Sequence, residues 1–209
     1  VGALTSDANR GITLIEYDNL NHPRRVSFRD GHTVEWVYAP DGTRLRAIHT
    51  TAVEGVSVAP GMRAEPDAAH IVRRDTTDYS AGVTWGPGNR LERVEIPGGY
   101  ATIGAGGVPE YHYYTADHVG NNRVVVSEDG VIEQVVHYYP FGGQYADAGL
   151  NLSAQQYKHG GKELDPAYGL DWHDFGARPY YAPLAAWLHP DALAGDYTWL
   201  SPYCYCANN

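Results

Sequence analysis

The sequence is poor in methionine, cysteine and basic residues. Its 209 residues include one Met, two Cys and 15 Lys and Arg against 25 Asp and Glu, which gives a formal net charge of −10. Nucleic acids and anionic membrane surfaces are bound through clustered Lys and Arg. The composition therefore argues against both as partners.

Long apolar runs are also lacking. None approaches the roughly 20 residues that span a bilayer, so we expect no membrane insertion. The first residues, Val1 to Leu4, have neither the charged nor the long apolar region of a secretory signal. Because the sequence does not begin with Met, we interpret it as part of a longer chain whose export signal would lie upstream.

The two cysteines, Cys204 and Cys206, stand two positions apart and would share one face of a strand. A disulfide between them would be strained, and a tetrahedral metal site would need two further ligands. We therefore predict buried free thiols. The ten histidines show no His-x-x-x-His spacing, so neither a metal nor another cofactor is predicted.

Aromatic and turn-forming residues are abundant instead. The chain contains 17 Tyr, 5 Trp, 24 Gly and 13 Pro, a mixture typical of many strands joined by tight turns. Val34, Trp36 and Tyr38 alternate with more polar neighbours, which predicts a strand with one packed face. Asp30-Gly31 and Asp41-Gly42 predict two-residue hairpin turns.

Residues 13–47 contain two related hairpin units. Tyr17-Asp18 begins one and Trp36-Val37-Tyr38 begins the next, with Tyr17 and Tyr38 separated by 21 positions. An ordinary β-meander explains the alternation but not the recurring Tyr and Asp-Gly spacing. In its residue types and in the 21-residue interval between Tyr17 and Tyr38, this segment resembles YD repeats.

Further motifs follow in a fixed order towards the C-terminus. They are Asp117-His118-Val119-Gly120-Asn121-Asn122-Arg123, Tyr138-Tyr139-Pro140-Phe141-Gly142, Gly161-Lys162-Glu163-Leu164-Asp165 and Gly176-Ala177-Arg178. The series resembles the RHS-repeat-associated core domain of RHS/YD-repeat proteins, which are secreted bacterial shells that enclose a C-terminal toxin.

This resemblance implies an all-β fold. We predict successive antiparallel β-hairpins that form a curved sheet or partial shell, with irregular C-terminal loops and at most short helices. The expected organisation is YD-repeat hairpins over 1–51, a loop or crossing segment over 52–80, and the core-associated domain over 81–209. Packing of residues 168–209 against the repeats should organise the fold, and the N-terminal sheet edge should be unpaired and seek a partner.

The resemblance also implies a site. Arg178 stands thirteen positions before Asp191, as in the family, where the Asp is half of a self-cleaving aspartyl pair. Arg178 would hold a carboxylate ionised or bind the developing oxyanion. The family's second Asp has no counterpart up to Asn209, so residues 1–209 alone are predicted to be catalytically silent. The alternative is that Arg178 and Asp191 only fix the last strands in place.

Other polar residues near Asp191 are weaker candidates. Asp171, Asp174 and Asp196 are expected to be solvated turn caps. Asp165-Pro166 copies the family's cleavage motif but is interpreted as a loop. His189 is either a charge near neutrality or, more often for such a residue, a hydrogen-bonding surface residue.

Three functions remain open. The first is the C-terminal part of a secreted or cell-surface RHS shell, with the rest of that shell and its toxin, or a protein at the open sheet edge, as partners. The second is an adhesion or interaction module that binds a glycan or protein through an aromatic-rich sheet. The third, an independent hydrolase, requires a ligand-sized cleft with two close carboxylates.

Overall fold

The protein is described by a computed structural model over residues 2–104, 106–145 and 155–208. Residues 146–154 and 209, which belong to the predicted core-associated domain, lie outside the described residues. In the described part, all strand pairings are antiparallel and the helices are single 3₁₀ turns, so the predicted all-β class is confirmed. No helix there is long and apolar enough to cross a bilayer.

Eleven strands form one sheet in the order of the chain, each paired with the next. They are β1 Ile12–Tyr17, β2 Pro23–Phe28, β3 Thr33–Tyr38, β4 Arg44–Ala52, β5 Ile71–Ser80, β6 Val83–Gly86, β7 Arg90–Ile96, β8 Gly99–Ile103, β9 Pro109–Ala116, β10 Asn122–Ser127 and β11 Ile132–Val135. This succession of hairpins is the arrangement predicted.

Two smaller sheets follow. β12 His137–Tyr138 pairs with β13 Gln144–Tyr145, and the other contains β14 Glu163–Asp165, β15 Trp172–Asp174, β16 Pro179–Tyr181 and β17 Ala186–Trp187. The 3₁₀ turns are Ala68–His70, Pro87–Asn89, Pro140–Gly142, His159–Gly161, Ala167–Gly169, Ala182–Leu184, Ala194–Asp196 and Cys206–Asn208. We call β14–β17 the C-terminal sheet.

The two predicted Asp-Gly turns have three residues rather than two. Between β2 and β3, the Phe28 amide donates to His32 O and the Gly31 amide donates to Phe28 O, both at 3.0 Å. Only Gly31, with φ of 84°, adopts the left-handed conformation. This matches a type I turn closed by a glycine bulge, in which the Asp keeps a negative φ. The two-residue prediction was therefore wrong in length and right in position.

The Asp of two sequence motifs closes its own hairpin loop. Asp18 Oδ1 accepts hydrogen bonds from the amides of Leu20 and His22, at 2.8 and 2.9 Å. Asp117 Oδ1 accepts from the amides of Val119 and Asn121, at 3.1 and 3.0 Å. Because a carboxylate that satisfies two loop amides stabilises the turn, we assign both residues a structural role.

The predicted loop or crossing segment over 52–80 was wrong for its last ten residues. Residues 53–67 are irregular, but Ile71–Ser80 is the strand β5, paired with both β4 and β6. Its sequence carries charged and hydroxyl side chains without an apolar alternation. Its hydrogen-bonding neighbours make it a strand, because tertiary context outweighs local propensity in sheets.

The outer edge of β1 was predicted to be unpaired, and this was also wrong. The Ile15 amide donates to Thr5 O at 2.8 Å, and the Gly61 amide donates to Thr13 O at 2.9 Å. Thr13 Oγ1 is hydrogen-bonded to Met62 O at 2.9 Å. Residues from two other parts of the chain thus cover the edge that would otherwise attract a partner strand.

The C-terminal sheet packs against the first hairpins. Leu170, Trp172 and Leu188 join a buried cluster whose other members come from β1–β4: Ile12, Ile15, Val26, Phe28, Val34, Trp36 and Ala47. The indoles of Trp36 and Trp172 stack with centroids 6.2 Å apart. This contact joins distant parts of the chain and packs the C-terminal residues against the first hairpins.

Buried charges cross the same interface. The Arg44 guanidinium, on β4, pairs with the carboxylate of Glu163 and lies 3.2 Å from Asp174 Oδ2. Tyr79 donates to Glu163 Oε1 at 2.9 Å, and His49 Nε2 lies 2.9 Å from Asp165 Oδ2. Glu163 and Asp165 both face the first hairpins, because strand residues two positions apart share a face. The Lys-Glu-Leu-Asp motif therefore fastens the C-terminal sheet to the hairpins.

Candidate functional site

Arg178 and Asp191 form an ion pair. Arg178 immediately precedes β16, and Asp191 follows β17. Arg178 Nη2 lies 2.5 Å from Asp191 Oδ2. The other carboxylate oxygen accepts from the Leu193 amide at 2.8 Å, and the Asp191 amide donates to Pro202 O at 2.9 Å. Two strand ends and the following loop thus fix the pair that the sequence singled out.

The environment of Arg178 leaves one donor free. Its guanidinium carbon lies 4.3 Å from the centroid of the Trp187 ring, a cation–π contact. Nη1 is buried and has no hydrogen-bond partner among the described residues. Since an unpaired buried donor is costly, this N–H is available to an oxygen that enters the site.

A cavity of about 250 Å³ adjoins the pair. Its walls are Arg178, Trp187, Asp191, Ala194, Tyr197, Leu200, Ser201, Pro202, Cys204, Cys206 and Ala207. The cavity is smaller than the roughly 300–1,000 Å³ of pockets for drug-sized ligands. Of the described residues that line it, only Asp191 carries a carboxylate, whereas an independent hydrolase requires two close carboxylates.

The other carboxylates considered from the sequence have different surroundings. Asp174 lies beside Arg44, whereas Asp171 and Asp196 are exposed. Asp165 Oδ1 accepts from the Ala167 amide at 3.1 Å, in the loop that was predicted there. Of the described residues, Arg178 and Leu193 are the recorded hydrogen-bond partners of the Asp191 carboxylate.

His189 is buried, at 6% exposure, so its interpretation as a surface residue was wrong. Its Nδ1 lies 3.3 Å from Pro190 O, and its Nε2 has no hydrogen-bond partner in the described part of the chain. Burial lowers the pKa of His189, and the positive charge of Arg178 lowers it further. The ring is therefore neutral at pH 7, contrary to the alternative prediction of a charge near neutrality.

The sequence did not reveal a cluster of buried and half-buried aromatic and imidazole rings behind the site. His159, His173, Phe175, Tyr180, Trp187 and Tyr205 are in mutual contact, with Tyr180 and Tyr205 centroids 4.4 Å apart. Burial lowers the pKa of His173 to about 3, and nearby His159 adds to the effect. The spacing of the histidines in the sequence does not indicate this cluster, because segments that are far apart in the sequence bring the rings together.

Cys204 and Cys206 are free thiols, as predicted, but not buried ones. Cys204 is half-buried and Cys206 is exposed, and both line the cavity. The backbone of Cys204 forms an antiparallel bridge with Ala186, the first residue of β17. Across the described ranges, no group of three or more His, Cys, Asp and Glu is arranged to hold a metal ion.

Comparison with known proteins gives a likeness of fold. The chain matches the crystal structure of TcdB2-TccC3 with a TM-score of 0.71 and 18% identity, and that of TcdB2-TccC3-TEV with 0.70 and 19%. A Photorhabdus luminescens Tc holotoxin pore with a substitution in TccC3 matches with 0.68 and 19%. Each match covers 95% of this chain and 10% of the solved chain.

The chain thus spans about a tenth of the length of these solved chains. No family model matches the sequence, and no curated protein matches it either. At this level of identity the comparison establishes the shared fold alone.

Proposed function

We propose that this chain is the C-terminal wall of a secreted or cell-surface RHS-type shell that encloses a toxin. Its partners are then the rest of the shell and the toxin. The ordered RHS and YD motifs support this, as does the fold shared with toxin-complex structures. The C-terminal sheet closes one end of the hairpin sheet through an apolar core and buried charges.

The observation that carries the proposal is the Arg178–Asp191 pair at the small cavity. Cys204, Cys206 and Ala207, close to the end of the described chain, form part of the wall of this cavity. A segment that continues after Asn209 would therefore begin close to Asp191. We propose that such a segment supplies the second carboxyl and the peptide bond that is cut.

The geometry assigns different tasks to the two residues. Asp191, fixed by Arg178 and by the Leu193 amide, is proposed as the base towards water. The second carboxyl, protonated, polarises the scissile carbonyl, as in other aspartyl pairs. The buried Nη1 of Arg178 is free to donate to the oxygen that gains negative charge. Arg178 thus both orders the base and stabilises the oxyanion.

The test is self-cleavage of the gene product expressed with the sequence that follows Asn209. We expect a wild-type preparation to show two fragments on a gel and Asp191→Asn to remain intact, because the amide keeps the shape but cannot serve as a base. Asp196→Asn, an exposed neighbour on the same loop, is the matched control and should cleave normally. Cleavage that persists in Asp191→Asn would disprove the assignment.

A second function, glycan or protein binding, is favoured by one surface feature. Most large rings are buried or half-buried, but Trp199 is 75% exposed and Tyr197 50%, with their ring centroids 5.9 Å apart. Exposed rings of this kind stack on sugars and on partner side chains. Binding on a glycan array that disappears in Trp199→Ala, with unchanged thermal unfolding, would support this function; wild-type protein that binds no glycan or protein partner would eliminate it.

A further inference from the structure

A hydroxyl, an imidazole and a carboxylate are joined in a row on the eleven-stranded sheet. Thr102 Oγ1 lies 2.9 Å from His112 Nε2, and His112 Nδ1 lies 2.7 Å from Glu133 Oε2. When the ring carries its proton on Nδ1, His112 donates to Glu133 and accepts a hydrogen bond from the Thr102 hydroxyl. In this order of contacts a base activates a nucleophile and a third group orients the base.

Glu133 reaches the His112 ring by means of an irregularity in β11. Val125 on β10 pairs with Gln134 and Val126 pairs with Ile132, so Glu133 is the extra residue of a β-bulge. A bulge redirects a side chain, and bulges are over-represented next to active sites. Here the carboxylate extends from β11 across β10 to the imidazole on β9.

The imidazole is shielded, whereas the hydroxyl is partly accessible. His112 is 8% exposed and stacks on the Tyr100 ring, with centroids 4.5 Å apart and an interplanar angle of 14°. Thr102 stands two positions after Tyr100 on β8 and therefore shares its face of the sheet. Thr102 is only half-buried. The base is thus held in one orientation beside a residue that a reactant can approach.

A cation lies across the strand from the hydroxyl. Arg93 on β7 is the register partner of Thr102, and directly paired residues project from the same face of a sheet. The guanidinium carbon lies 3.5 Å from the centroid of the Tyr100 ring, and Nε donates to Glu95 Oε1 at 2.6 Å. A fixed positive charge on this face can stabilise an oxygen that gains negative charge beside Thr102.

We propose that Thr102, His112 and Glu133 form a nucleophilic site that hydrolyses small carboxylic esters. The Thr102 oxygen attacks the ester carbonyl carbon while its proton passes to His112 Nε2. The bond between that carbon and the alcohol oxygen then breaks, and His112 returns the proton to the departing alcohol. The same ring next takes a proton from water, which attacks the acyl-threonine and releases the acid. One ester and one water give one acid and one alcohol.

The probe for this activity is p-nitrophenyl acetate, whose hydrolysis releases a coloured phenol. We expect the wild-type chain to exceed the buffer rate and Thr102→Val, which keeps the shape but lacks the hydroxyl, to lower this excess roughly 100-fold. Thr102→Ser, which restores a hydroxyl, should recover the activity. Thr51→Val is the matched control, because the Thr51 hydroxyl lies 2.9 Å from the Tyr168 hydroxyl rather than from an imidazole.

Two further measurements separate catalysis from a structural role of the same hydrogen bonds. Peptide mass mapping after an acid quench should find an acetyl group on Thr102. Glu133→Gln keeps a hydrogen-bond acceptor but loses the charge that stabilises the imidazolium, so it should lower the rate without lowering the thermal unfolding temperature.

Three results would overturn the proposal: a wild-type rate equal to that of buffer, equal rates for the wild type and Thr102→Val, or acetyl groups on other residues only. The mass map of the wild type and Thr102→Ser decides the last point even if Thr102→Val does not fold. The site contains neither Arg178 nor Asp191, so a failure of self-cleavage would count against the proposed function alone.

Discussion

Arg44→Met is expected to lower the free energy of unfolding by about 3–5 kcal/mol, because it leaves the carboxylate of Glu163 buried without its cation. The Arg44 and Glu163 side chains are only 11% and 12% exposed, and Arg44 also lies over the Tyr79 ring, 4.4 Å from its centroid. Burial raises the pKa of Glu163 against the opposing effect of Arg44. Chemical denaturation monitored by tryptophan fluorescence gives the value.

A matched control lies two residues away on the same strand. Arg46 also pairs with a carboxylate, that of Asp78, but its side chain is 48% exposed. Because exposed ion pairs contribute little, Arg46→Met should leave the denaturation midpoint nearly unchanged. The double variant Arg44→Met with Glu163→Gln should recover part of the loss, since the orphaned charge is gone. Equal effects of Arg44→Met and Arg46→Met would show that the charged interface does not hold the sheets together.

Acidification from pH 7 to pH 5 is expected to cost about 2 kcal/mol of stability through His173 alone. The ring is 1% exposed, both of its nitrogens lack hydrogen-bond partners among the described residues, and its folded-state pKa is about 3. The unfolded chain binds a proton below about pH 6.5 and the folded protein does not. Stability is therefore full above pH 6.5 and is lost progressively as the pH falls towards 3.

His173→Phe should reduce this dependence on pH. The phenyl ring fills a similar space between Tyr180 and His159. In the wild type, the ring centroids of these two residues lie 6.2 and 5.8 Å from the centroid of the His173 ring. It also removes two buried nitrogens that lack partners, so the variant should equal or exceed the wild type at pH 7. His159 and His189, whose pKa values burial also lowers, keep part of the slope.

Thermal unfolding across pH 4.5–8 measures this slope for both proteins. His118→Gln, on an exposed loop, serves as the control that should retain the wild-type profile. Parallel profiles for the wild type and His173→Phe would mean that His173 is not buried as a neutral ring.

Local pattern was sufficient to predict the hairpins. Alternation along residues 33–38 and the Asp-Gly dipeptides are short-range signals, and they located β3 and its flanking turns correctly. Turn length was misjudged because Asp-Gly suits both a two-residue loop and a glycine bulge. β5 was missed because its hydrogen bonds to β4, rather than its own side chains, make it a strand.

Contacts between residues far apart in the sequence could not be predicted from local sequence patterns. Arg44 and Glu163 are separated by 119 residues, and nothing local to either indicates that they meet. The resemblance to the RHS core pointed to Arg178 and Asp191, and the structure brings the two side chains together. Three features depend on how the C-terminal sheet packs against the hairpins: the burial of His189, the cavity beside the pair and the ring cluster around Tyr180. Because this packing joins distant parts of the chain, the sequence alone could not predict these features.

We propose that Asp191, held by Arg178, is one carboxyl of a self-cleaving site. Intact-mass spectrometry of the gene product expressed with the sequence after Asn209, as wild type and as Asp191→Asn, tests this role. We expect two wild-type masses that sum to the full chain plus one water, with the cut downstream of Asn209, and a single full-length mass for the variant. An uncut wild-type chain, or the same two masses from Asp191→Asn, would contradict it.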